Sequence, residues 1–258
     1  MVRRLALALC ACTLIASIAV ACGDDDAAPP SDGGENPATP GKASSTSDAR
    51  SEPMLTMPAS RFAISVDDMG TDPSTGNAAY MTDLKATYVL DAASYGKTSI
   101  FPSPAEGEKT LKQWGYLGGY ETGLIPEGRD TAVLNGAFYV NVEVHLFSSV
   151  DGAKKAFDHF ESRLRDSGRG QFVPSQGVGS KSSTWTLTEG YVGTSTVGRV
   201  YHQTVFRRGN LVAVVLTSGA EGFMKVDTAR TMAGIIDQKA LGQKQAVEPT
   251  PIAKASGQ

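Results

Sequence analysis

The chain has 258 residues, with 24 Lys plus Arg against 27 Asp plus Glu, three histidines and three cysteines. A net charge of −3 gives no electrostatic case for nucleic acid or for anionic lipid head groups, both of which call for a basic surface. Cys10, Cys12 and Cys22 all fall at the N-terminus, so the rest of the chain holds neither a disulfide nor a cysteine-ligated metal and must be stabilised by an ordinary core.

Arg3 and Arg4 precede an uncharged, largely apolar run over 5–21, which ends Ala19-Val20-Ala21-Cys22-Gly23 before Asp24, Asp25 and Asp26. A positive start, an apolar stretch and small residues before a cut predict an export signal over 1–21. With the cut just before a cysteine, the segment resembles the lipobox of bacterial lipoproteins, departing from it at Ala19, where Leu is usual. An uncleaved N-terminal helix is the alternative, because 5–22 is close to the minimum span of roughly 17 residues. The lipobox resemblance implies an acylated Cys22 as mature N-terminus and a membrane partner reached through that lipid anchor. The domain would then sit on the cell membrane or outer membrane, facing the periplasm or the cell exterior. Loss of Arg3 and Arg4 lowers the 24 basic residues to 22 against 27 acidic ones, a net charge of −5. Attachment would therefore rest on the acyl chains, and a triacylated cysteine carries more than the two signals that stable anchoring needs.

After Cys22 the chain is rich in Pro, Ser, Gly, Thr and Asp as far as Ser60, with six of the 13 prolines (Pro29, Pro30, Pro37, Pro40, Pro53, Pro58). Such a segment buries too little apolar surface to offset its chain entropy, so 22–60 is expected to be a disordered tether. As a flexible coil it would span roughly 35 Å. Residues 243–258, with Pro249 and Pro251, are expected to be a second disordered tail. The stretch 61–242 between them suits a single domain.

Within that domain a short strand is expected at 62–66, and 80–90 is ambiguous between helix and strand. The stretch 104–114 reads as a helix with Pro104 in its first turn, and 115–125 as a strand. Over 137–147, Phe138, Val140, Val142, Val144 and Leu146 alternate with Tyr139, Asn141, Glu143, His145 and Phe147, the period-two pattern of a strand with one buried face. A helix follows over 149–165, with Ala153, Ala156, Phe157, Phe160 and Leu164 on one stripe. It closes at Ser167-Gly168, with Arg163 and Arg165 near its carbonyl end. A strand is expected at 182–189. Strands over 197–207 and 211–218 flank Arg208-Gly209-Asn210, a compact turn in which Gly and Asn supply positive φ; the return strand is apolar on both faces and so central. A last helix spans 223–239.

Strands paired by hairpins with helices returning over them make an α+β fold, an antiparallel sheet with the helices packed on one face. The element order αββα, then strands and a closing helix, with the segments "RRGNLVAVVLTSG" and "LFSSVDGAKKAF", resembles the PsbP-like fold. That fold occurs in the P subunit of the oxygen-evolving complex and in small actinobacterial lipoproteins. The pattern is also similar to extracellular sensor domains of mycobacterial Ser/Thr kinases. The resemblance covers about 137–241 and implies a binding or accessory role.

No pair among His145, His159 and His202 has HxH or HExxH spacing, so no metal centre and no cofactor are expected. Glu143 and His145 could act as a base with its orienting carboxylate, joined by His202, in a hydrolase-type enzyme. The expected place for such residues, however, is the wet face of an amphipathic strand. There is no GxSxG elbow and no free thiol. Asp67-Asp68 lacks calcium-loop spacing, and Gly177-Val178-Gly179 lacks the rest of a phosphate loop; both read as turns. The aromatics Trp114, Tyr116, Tyr120, Tyr139, Trp185, Tyr191 and Tyr201 would, if several converge, line an apolar cleft with polar tips. The expectation is a non-catalytic domain that binds a small ligand or an envelope protein. Its candidate site comprises Trp114, Tyr120, Tyr139, Glu143, His145 and Trp185. A structural or accessory envelope protein is the remaining alternative.

Overall fold

The computed structural model describes residues 52–69, 79–174 and 177–246. The expected signal, Cys22 and most of the expected tether lie outside them. Seven strands form one antiparallel sheet: β1 (Tyr80–Leu90), β2 (Tyr116–Pro126), β3 (Phe138–Phe147), β4 (Gln171–Val173), β5 (Lys181–Tyr191), β6 (Gly198–Arg208) and β7 (Leu211–Ala220), in the spatial order β1-β2-β3-β7-β6-β5-β4. Among the described residues, five α-helices accompany them: α1 (Ala92–Tyr95), α2 (Pro104–Gln113), α3 (Asp130–Leu134), α4 (Val150–Asp166) and α5 (Val226–Ala240).

The α+β antiparallel sheet matches the sequence reading, and the ambiguous 80–90 stretch is strand β1. The helices, expected on one face, lie on both. On one side α5 (Met232, Ala233, Ile236) packs on Val140, Val142, Val144, Ala213 and Val215. On the other, α1, α2 and α4 (Tyr95, Leu111, Ala153, Phe157, Phe160) pack on Phe147, Val205, Val212 and Val214. β7 makes this possible, because Leu211-Val212-Ala213-Val214-Val215 is apolar at both parities and needs cover on both sides. We call these the α5 face and the α4 face. α4 starts where the Ser149 hydroxyl accepts the Gly152 N–H, and α2 where Ser103 accepts that of Glu106, the side-chain capping that helix starts require.

Two boundaries move. The domain begins before residue 61. Glu52 pairs with Arg207, the Asn210 amide donates to the Leu55 carbonyl at 3.1 Å and accepts the Leu55 N–H at 2.7 Å, and Ala59 is buried. Residues 52–60 therefore strap the β6–β7 hairpin rather than belonging to a tether. At the other end Lys244, expected in a loose tail, pairs with Asp68 at 3.0 Å.

Two local readings also change. The expected strand at 62–66 lies between two 3-10 turns, Ala59–Arg61 and Val66–Met69. The Asp68 carboxylate captures the Ser65 N–H and hydroxyl, so this backbone is satisfied locally instead of in a ladder. In the β6–β7 turn only Gly209 has positive φ. Asn210 serves by its side chain, which binds Leu55 and the Phe147 carbonyl.

Candidate functional site

β3 carries the residues of interest on its α4 face, where they continue in register across the sheet. One row reads Gly119–His145–Val212–Arg207, the next Glu121–Glu143–Val214–Val205–Ser183. The third is Gly123–Asn141–Leu216–Gln203–Trp185–Phe172, and the fourth Tyr139–Ser218–Tyr201–Leu187. Directly paired residues project to the same side of a sheet, so these rows form a continuous surface.

Helices cover the first row from His145 onward and the second from Val214 to Ser183: His145, Val212, Val214, Val205 and Ser183 are buried. Beyond the fourth row, Val133 of α3 packs on Val192 and Ala220, with Leu134 and Tyr139 at its edge. Between these two covers the sheet is open. Asn141, Leu216, Gln203, Trp185, Tyr139, Tyr201 and Leu187 are partly exposed, and Phe172 is exposed and packs edge-on against Trp185 at 5.7 Å. A hollow of about 170 Å³ opens at one end of this strip, bounded by Asp83, Ala86, Gly123, Tyr139, Asn141, Leu216 and Ser218. Two features of the chain create it. The register of β1 breaks between Asp83 and Tyr88, and Gly123 leaves beneath Ala86 and Asp83 a space that a Cβ would fill. A larger, shallow depression of about 500 Å³ on the outer side of α2 is lined by Ala105, Glu108, Lys109, Lys112 and Gln113. None of these is aromatic, and the surface is that of a solvated helix.

Along the covered edge of the strip runs a chain of polar groups. His145 is fully buried. Its Nδ1 lies 3.1 Å from the Tyr116 hydroxyl and its Nε2 lies 3.2 Å from Glu143 Oε2, which also accepts the Tyr95 hydroxyl at 2.8 Å. An Nε2–H tautomer satisfies every member: Tyr116 donates to Nδ1, and Nε2–H and Tyr95 both donate to the carboxylate. The Tyr95 ring lies 4.3 Å from that of His145, and Phe160 meets the imidazole edge-on at 5.6 Å. Tyr116 reaches this place through a register shift in β2. Tyr116 pairs with Phe147 and Gly118 with Leu146, so the bulged Leu117 turns outward to solvent and Tyr116 inward over Gly119.

Burial alone would raise the Glu143 carboxyl, but the hydrogen bonds it accepts from His145 and the Tyr95 hydroxyl hold it below the usual carboxylate range. Burial first, and then the Glu143 charge, push the Tyr95 and Tyr116 phenols up, so both remain protonated donors. Glu121 faces Glu143 directly. Burial and that neighbouring charge raise its carboxyl, and the Asn141 amide, donating at 3.1 Å, offsets part of the rise.

Tyr139, Glu143, His145 and Trp185, four of the expected site residues, thus share the α4 face. Tyr120 does not join them: it is buried in the core of the α5 face. Trp114 sits in the helix layer, against Phe101 at 6.3 Å and His159 at 5.4 Å. His145 is not on a wet face, because α1 and α4 cover that end of β3; Glu143 stands at the margin of that cover, with its side chain 25% exposed. His202 pairs in register with Thr217, which pairs with Val140. It therefore lies on the α5 face, on the other side of the sheet from His145. His159, expected on the polar side of its helix, stacks on Phe101 and donates from Nε2 to the Ile100 carbonyl at 3.0 Å. Asn141, Gln203, Leu216 and Tyr95 were missed. The first three follow from alternation once the register is known, whereas Tyr95 sits on a four-residue helix with no periodicity to read.

Among the described residues no group of three or more His, Cys, Asp or Glu could hold a metal ion, and no helix is long and apolar enough to cross a membrane. No protein-family model matches the chain, and no curated protein matches it. Among solved structures it is similar to the extracellular domain of PknH from Mycobacterium tuberculosis, at 13% identity and a TM-score of 0.40, over 71% of this chain and 95% of that one.

Proposed function

We propose that this chain is a lipid-anchored, extracytoplasmic binding protein without catalytic activity, and that its ligand lies on the open strip of the α4 face. The observation that carries the ligand site is the uncovered band itself. An antiparallel sheet can leave one face to water, but such a face is normally polar; this one leaves Trp185, Tyr201, Tyr139 and Leu216 partly exposed beside the amides Asn141 and Gln203, between helices that cover both ends. Apolar and aromatic surface with a few fixed polar groups is the usual make-up of a ligand site.

The hydrolase alternative is disfavoured by one geometric fact. Both ring nitrogens of His145 are engaged, by Tyr116 and Glu143, and the ring is fully buried, so neither nitrogen is free for a substrate proton. The anchoring part of the proposal rests on the lipobox-type segment ending at Cys22.

Labelled palmitate should be incorporated by the chain and lost in Cys22→Ser; incorporation that survives the substitution contradicts the anchor. Native mass spectrometry of the protein released from membranes should show a bound small molecule that Trp185→Ala loses. If an envelope protein co-purifies instead, its retention by Trp185→Ala would reject the strip as the site.

A further inference from the structure

Resting on the reading of the strip as the binding site, we infer that the ligand is an elongated organic amine. Its ammonium group sits at the Glu121–Glu143 end, and its apolar part crosses Leu216 toward Trp185. Glu121 and Glu143 are direct cross-strand neighbours, and Asp83 borders the hollow beside them. Among the described residues no Lys or Arg forms an ion pair with any of the three. Like charges placed directly opposite are destabilising, and a cation seated between them removes that cost.

Tyr95 and His145 both bind Oε2 of Glu143, and Oε1 accepts no hydrogen bond among the described residues, while the side chain is 25% exposed. The carboxylate is thus held ionised and fixed in direction by buried neighbours, with one oxygen open. Such preorganisation adds affinity by lowering the cost of ordering the site.

From Glu143 on β3 to Trp185 on β5 the strip crosses three strand spacings, about 14 Å. Its floor changes from carboxylates through Leu216 to the partly exposed rings of Tyr201 and Trp185. A pentamethylene chain joining an ammonium to a fused aromatic ring covers that span.

The test titrates the full chain into dansylcadaverine, following the anisotropy of directly excited dansyl emission, beside its N-acetyl derivative, which differs in lacking the charge. Dansylcadaverine should bind at least tenfold more tightly than the acetylated probe, and the preference should shrink at high salt. It should fall below threefold in Glu121→Gln and in Glu143→Gln. Glu121→Gln leaves the Tyr95–His145 network intact and decides the matter if Glu143→Gln does not fold. Equal affinity for the two probes, with binding lost in Trp185→Ala, overturns the amine and leaves the strip as a site. A tenfold preference that both Gln variants retain also overturns it. Failure of dansylcadaverine to bind, or binding that Trp185→Ala leaves unchanged, overturns the site and the amine together.

Discussion

The Tyr116 hydroxyl meets His145 Nδ1 at 3.1 Å across a space that exists because residue 119 has no side chain. Gly119 is the register partner of His145, and a Cβ there would lie 2.5 Å from the Tyr116 hydroxyl, 2.8 Å from His145 Nδ1 and 2.9 Å from the Val144 carbonyl oxygen. The bulge at Leu117 and the glycine at 119 together let a tyrosine reach back over its own strand. That tyrosine fixes the imidazole, which in turn fixes the Glu143 carboxylate.

Gly119→Ala should therefore separate Tyr116 from His145 and cost about 1–3 kcal/mol, through overpacking and a lost buried hydrogen bond. Urea unfolding at pH 7 measures this as a lowered midpoint with an unchanged slope. An unaltered midpoint would mean that the network does not contribute to the fold.

Glu121 and Glu143, facing each other, should respond with opposite sign. Glu143→Gln removes the anionic acceptor of two donors and should destabilise by about 1–3 kcal/mol. Glu121→Gln removes a like charge while keeping an amide oxygen for Asn141, and should stabilise by about 0.2–1 kcal/mol. Chemical denaturation of the two variants in parallel checks the signs.

The pH dependence follows from the same groups. Glu143 and Asp68 are held below their ordinary values of 4.5 and 3.8, in both cases against burial, which opposes the shift. His145 and Tyr95 act on Glu143; Lys239, Ser65 and Lys244 act on Asp68. A depressed carboxyl contributes stability that is full above its unfolded value and is lost as pH falls through its folded one. Stability should therefore drop steeply below the ordinary value of 4.5. Glu121, raised in the fold, contributes in the opposite sense: full below its ordinary value of 4.5 and lost as pH rises through its folded value. Denaturation midpoints from pH 3 to pH 7 should show a shallow decline above that value in the parent chain, which Glu121→Gln abolishes.

Lys239 is 2% exposed and donates to Asp68 at 2.6 Å and to the Ala63 carbonyl at 2.7 Å. Asp68→Ala leaves that ammonium buried without its partner and should cost about 3–5 kcal/mol. Lys239→Met should cost less, because Asp68 keeps Lys244, the Ser65 N–H and the Ser65 hydroxyl. Equal losses in the two variants would contradict this asymmetry.

Much of this architecture was legible residue by residue. The alternation of β3 announced which side chains share a face, and Ser149 before an apolar stripe announced the start of α4. The two-sided apolarity of β7 also implied cover on both faces, although the helices were expected on only one. The rest was hidden by local geometry that period counting does not carry. Tyr116 and Tyr120 have the same parity, yet the Leu117 bulge sends Tyr116 to the α4 face and leaves Tyr120 in the opposite core. The wet face expected for Glu143 and His145 became an interior at His145, because four-residue α1 places Tyr95 over the imidazole. The apolar 62–66 run looked like a strand because its backbone partner is a side chain, Asp68, rather than another strand. Of the site, the aromatics were visible as types, but the strip they form depends on register across four strands.

Amide chemical-shift mapping of the isotopically labelled chain against a small-molecule fragment set tests the open strip most directly. The account predicts that binding fragments shift the amides of Tyr139, Asn141, Trp185, Gln203 and Leu216 as one contiguous group, leaving those of α5 unmoved. Fragments that cluster on the α5 face, or a strip that no fragment perturbs, would contradict it.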